Sequence, residues 1–173
     1  GPPLPLGVES EAEYFDLVLT TALPEEEVTL ALRQNLPPGL TLLSVQPLPE
    51  KAPSLMTQVT GLDYRFYLTR KEPWSDRQVE AWFGALWSRP ELTVTKKTAT
   101  GEKQVDLKPL WLGYELSFQR DGLILFQVRV AFGPQGTVRP DDFRPFLAPA
   151  FQIGRVRRTA VTFKTGERRQ KVL

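Results

Sequence analysis

The spacing of apolar and polar positions along this chain changes period several times, and each change predicts an element. Residues 14–20, Tyr-Phe-Asp-Leu-Val-Leu-Thr, are rich in aromatic and branched types and read as a strand. From Pro24 the period lengthens, and Val28, Ala31, Leu32 and Leu36 recur at helical spacing. Glu25, Glu26 and Glu27 open that helix, where acids complement the positive end of its dipole and a proline costs no needed hydrogen bond. Pro37-Pro38-Gly39 ends it, and residues 40–46 read as a second strand, giving β–α–β.

A short helix is expected within residues 51–58, with Ser54 as its cap. In residues 64–68, Tyr64, Phe66 and Leu68 alternate onto one face of a strand. Residues 76–87 predict a helix with the apolar stripe Val79, Trp82, Phe83 and Leu86. Residues 92–96 read as a strand and residues 97–103 as a polar turn around Gly101. Asp121-Gly122 is a hairpin signal between strands at 114–118 and 123–130. Arg139-Pro140-Asp141-Asp142 starts a helix that Pro145 and Pro149 keep short, and residues 153–163 read as the last strand.

This order predicts an α+β protein of ferredoxin-like β–α–β units with antiparallel or mixed sheets. Residues 1–60 read as the closing β–α–β of a first, incomplete unit, and residues 61–173 as a second unit with a basic C-terminal end. An incomplete sheet would expose an unpaired edge. The chain opens Gly1-Pro2-Pro3 without methionine, so the natural start is expected upstream.

Composition narrows the chemistry. The 173 residues contain no cysteine and no histidine. Cys–His and Ser–His–Asp machinery is thereby excluded, and zinc and iron–sulfur ligation is disfavoured. Acid–base work would fall to a carboxylate, lysine or tyrosine of shifted pKa. No apolar run approaches the ~20 residues of a membrane span, and no signal-peptide pattern opens the chain, so a cytoplasmic location is expected.

A net charge of +2 conceals an uneven distribution. Residues 1–50 carry eight acids against Arg33, a net of −7, while residues 154–173 carry seven bases against Glu167, a net of +6. The basic residues are Arg155, Arg157, Arg158, Lys164, Arg168, Arg169 and Lys171. Such an end can bind a polyanion, or it can be one half of an intramolecular charge match. Alternation places Arg155 and Arg157 on one strand face and Arg158 on the other. Guanidinium groups suit phosphate contacts, and Tyr64, Phe66 or Tyr67 on a neighbouring strand could stack single-stranded bases. The plainer reading keeps those aromatics, and the four tryptophans Trp74, Trp82, Trp87 and Trp111, in the core.

Three further segments are candidates. In Gly7-Val8-Glu9-Ser10-Glu11-Ala12-Glu13, carboxylates and a hydroxyl could hold a hard cation, or Ser10 and Glu13 could satisfy local backbone donors in a turn. Asp106 with Lys108, and Arg139 with Asp141, could anchor structure as ion pairs or line a cleft.

These segments also carry a family resemblance. Residues 3–14, Lys51-Ala52-Pro53-Ser54-Leu55-Met56, Val105-Asp106-Leu107-Lys108-Pro109 and Val138-Arg139-Pro140-Asp141-Asp142 resemble a bacterial domain of unknown function. That domain is fused to, or encoded beside, B12-binding-type radical SAM proteins. The family pattern begins upstream with Ser-His-Leu-Asp and Gly-Phe-Asn-Pro-Arg-Pro segments, neither of which occurs here. The resemblance implies a non-catalytic accessory module of a radical SAM protein that handles tRNA or rRNA substrate. The alternative is a protein-docking module for the same partner without nucleic-acid contact. On either reading this chain holds no cofactor, and the iron–sulfur cluster, S-adenosylmethionine and cobalamin belong to the partner. The family-motif candidates are Gly7, Glu9, Ser10, Glu13, Asp106, Arg139 and Asp141.

Overall fold

The computed structural model describes residues 1–98 and 101–164. In chain order these form β1 (Val8–Ser10), α1 (Glu25–Asn35), α2 (Leu55–Gln58), β2 (Val59–Arg70), α3 (Asp76–Trp87), β3 (Thr93–Thr98) and β4 (Gly101–Asp106). A 3-10 turn at Lys108–Leu110 follows, then β5 (Trp111–Phe118), β6 (Ile124–Gly133), β7 (Gly136–Thr137), α4 (Pro140–Leu147) and β8 (Phe151–Phe163).

The main sheet runs β1-β8-β2-β6-β5, with β7 added to β6. Without β1 and β7, the succession β2–α3–β5–β6–α4–β8 is β–α–β–β–α–β. Its sheet order places the last strand beside the first and the third beside the second. Every pair among these four strands is antiparallel. This is the α+β, ferredoxin-like arrangement that the element order predicts.

The core lies between one sheet face and the helices. Helix α3 starts with a reciprocal cap: Gln78 N–H donates to Ser75 Oγ at 3.4 Å, and Ser75 N–H donates to Gln78 Oε1 at 2.8 Å. Its stripe buries Val79, Phe83 and Leu86. The Phe83 ring lies 4.6 Å from Phe126 and 5.4 Å from Phe151, while Phe143 of α4 meets Trp111 edge-on at 5.3 Å. Trp111 is buried, and Trp74, Trp82 and Trp87 pack against the same core.

Several expected elements take other forms. Residues 14–20 and 40–46 form no strand, and α1 stands between them with none of its residues buried. A strand needs a partner for its backbone donors and acceptors, and neither segment pairs with the sheet. The expected polar turn at 97–103 is instead part of a separate two-stranded ladder, β3 with β4, from Thr93↔Asp106 to Thr98↔Gly101. A short helix does form within residues 51–58, one turn at Leu55–Gln58, but Ser54 gives it no side-chain cap. No described helix is long and apolar enough to cross a membrane.

Candidate functional site

The acidic N-terminal segment meets the basic strand directly. Gly7 takes φ +76°, a left-handed conformation that turns the chain into β1. Strand β1 runs parallel to β8 with Glu9 opposite Arg157 and Ser10 opposite Arg158. Arg157 donates to Glu9 Oε2 from Nε at 2.9 Å and from Nη2 at 2.6 Å, and its Nη1 pairs with Glu11. These bonds push the Arg157 pKa up. Arg158 is 1% exposed. Its guanidinium donates to Glu13 Oε1 at 2.8 Å, to the carbonyls of Pro2 at 2.9 Å and Pro3 at 2.8 Å, and to Tyr64 Oη at 3.3 Å. Burial pushes the Tyr64 phenol up, against the opposing pull of that cation. Ser10 Oγ donates to Glu13 at 2.6 Å and accepts from Ala12 N–H at 3.1 Å.

Of the two readings of the basic end, the charge match therefore describes Arg157 and Arg158. As a nucleic-acid candidate Arg158 is corrected outright, because it lies inside and its charge is spent on the first residues of the chain. Tyr64 and Phe66 are likewise core side chains, 2% and 0% exposed, and cannot stack a base. Lys164 is exposed, with its N–H donating to Gln58 O at 2.8 Å. Arg168, Arg169 and Lys171 lie outside the described residues. Glu9 Oε2 and Glu13 Oε1 face arginines, and among the described residues no cluster of three acids could hold a metal ion.

The remaining motif residues fasten loops. Asp106 Oδ1 accepts from Leu92 N–H at 2.8 Å and Lys108 N–H at 2.9 Å, and those bonds hold its carboxyl below the usual range. Lys108 donates to the Trp87 carbonyl, its Nζ lying 3.9 Å from the Trp87 ring centre. Arg139 does not pair with Asp141: its N–H donates to Asp142 Oδ2 at 2.7 Å, while Asp141 pairs with Arg144 at 2.6 Å. Lys96 closes the group on Asp142 at 2.6 Å, tying the β3–β4 ladder to the start of α4.

Two surfaces have no such internal explanation. One is the sheet face turned away from α3 and α4, where alternate residues of four strands emerge. One row across it is Arg157, Arg65, Gln127 and Glu115, and a neighbouring row contains Tyr67, Leu125 and Ser117. Arg65 donates to Gln127 Oε1 from Nη2 at 3.0 Å. At Gly154 a Cβ would lie 3.1 Å from the Tyr67 carbonyl, so glycine lets β8 close in there. The next residue, Arg155, sets its guanidinium 4.1 Å over the Tyr67 ring. A hollow of about 480 Å³ adjoins them, lined by Tyr67, Gln119, Arg120, Asp121, Leu123 and Leu125.

The other surface is the arm of residues 15–48. Phe15, Leu17, Val18, Leu19, Leu23, Leu30, Leu40, Leu43 and Leu48 are all exposed there, Val18 at 97% and Leu30 at 58%. The model of a family described as "Uncharacterized protein conserved in bacteria (DUF2344)" matches residues 1–140. The chain belongs to that family.

The family match takes in the acidic segment, the arm and most of the sheet, and stops at the first residue of α4. No curated protein matches the chain. One solved structure, "Crystal Structure of a Cbf5-Nop10-Gar1 Complex", shares 14% identity at a TM-score of 0.42. That match covers 61% of this chain and 32% of the other. A likeness at this level bears on neither activity nor partner.

Sequence reasoning named Tyr67 and Arg155 but not Arg65, Arg120, Leu125 or Gln127. The signal was present as the opposite phase of the strands: where Phe66 and Phe126 point to the core, Arg65, Tyr67, Leu125 and Gln127 must point away.

Proposed function

We propose that this protein is a non-catalytic accessory module that docks a radical SAM protein through the arm of residues 15–48. The observation that carries the reading is α1, an 11-residue helix with no buried residue, flanked on both sides by exposed leucines. A soluble surface rarely leaves so many large apolar groups together unless a partner covers them. The arm is also acidic, with Asp16, Glu25, Glu26 and Glu27 against Arg33. It therefore fits an apolar partner surface with a basic rim. The sequence resemblance favours a radical SAM protein as that partner. On this reading the iron–sulfur cluster, S-adenosylmethionine and cobalamin reside on that partner, and both proteins work in the cytoplasm.

The test mixes purified chain with the purified radical SAM protein and follows co-elution at low and high salt. A complex that survives high salt and is lost in Leu17→Asp/Leu30→Asp/Leu43→Asp supports the reading. Absence of a complex, a complex that the triple variant retains, or self-association alone overturns it.

A further inference from the structure

The open sheet face carries five arginines, Arg65, Arg120, Arg129, Arg155 and Arg157, counting Arg120 on the β5–β6 hairpin. Two are committed. Arg129 grips the buried Asp63 with bonds of 3.0 and 3.2 Å, and Arg157 is held by Glu9 and Glu11. Arg65, Arg120 and Arg155 have no carboxylate partner among the described residues. These three surround one spot. Arg155 lies over Tyr67, Arg120 lines the hollow beside Tyr67, and Arg65 is two residues from Tyr67 on the same strand face.

We infer that this spot binds single-stranded RNA, one base stacking on the Tyr67–Arg155 pair with its flanking phosphates at Arg120 and Arg65. A flat aromatic topped by a planar guanidinium accepts any base by its π-face. Leu125 supplies an apolar floor beside Tyr67, and the hollow is shallow and open to solvent. Gln119 and Asp121 bring acceptors to its edge, suited to base N–H groups and to the ribose 2′-hydroxyl. The site is separate from the arm, so the inference does not depend on the docking reading.

The experiment measures binding of the whole chain to a fluorescent single-stranded RNA, and to DNA of the same sequence, over a salt series. Salt-sensitive RNA binding is expected, with a log–log slope of about −1.4 for the two phosphate contacts at Arg120 and Arg65. Tyr67→Ala should weaken it about tenfold, the size of one lost stacking contact. Arg120→Glu, on an exposed hairpin turn, should weaken it at least as much without touching the core, and Arg89→Glu, exposed just after α3, should change nothing. No binding, binding indifferent to both Tyr67→Ala and Arg120→Glu, or DNA bound as well as RNA would each overturn the assignment.

Discussion

Arg158 holds Glu13 across 145 residues of sequence through a 2.8 Å ion pair made by a guanidinium that is 1% exposed. The cation also takes the carbonyls of Pro2 and Pro3, so a single side chain of β8 fastens the first residues of the chain over the end of the sheet. Removing it orphans those carbonyls and leaves a void beside Tyr64. Arg158→Ala should cost about 3 kcal/mol of stability, read as a lowered urea midpoint at constant slope. Glu13 is 42% exposed, so Glu13→Gln should cost no more than about 1 kcal/mol.

Asp106 gives a pH signature of known sign. Its two backbone donors hold the folded-state pKa below the ordinary 3.8. The carboxylate's contribution to stability is therefore full above the unfolded value and is lost as pH falls through the folded one. Asp106→Asn keeps an oxygen for both donors but cannot titrate. The stability difference between wild type and variant should be constant near neutrality and shrink below about pH 4, followed by melting temperature across an acid series.

The helix-and-strand frame was legible because its signals are local. Ser75 with Gln78 caps α3, and Asp121 turns the β5–β6 hairpin by accepting from Leu123 N–H at 3.1 Å, with Gly122 at φ +83°. What escaped depends on pairing and not on local composition. Residues 14–20 have a strand's composition but no edge to join, whereas the polar β4, expected as part of a turn, becomes a strand because β3 supplies its ladder. The charge asymmetry was visible, yet only the register Glu9↔Arg157 decides which acids meet which arginines. That register separates the committed Arg157 and Arg158 from the uncommitted Arg155.

Phe83 is the centre of the aromatic core, fully buried and within 5.4 Å of Trp82, Phe126 and Phe151 by ring centres. Phe83→Ala removes the α3 ring that meets Phe126 and Phe151 of the sheet and leaves a cavity among rings that cannot collapse freely. The loss should be about 3–5 kcal/mol by chemical denaturation. Trp82 lies partly exposed on the same helix, so Trp82→Phe should cost markedly less.

The arm makes its own prediction about exchange. Isolated helices shorter than about 12–15 residues are marginal in water, and α1 has 11 residues and buries none of them. Its amides should exchange with deuterium almost as fast as unstructured chain, while those of Phe66 and Phe126, on central strands, should be among the last to exchange. Adding the docking partner should slow exchange across residues 25–35 and leave the central strands unchanged. Protection of α1 as strong as that of β2 in the protein alone would mean that the helix is already held by its own chain. The arm would then not be an available surface, and the docking reading would fail with it.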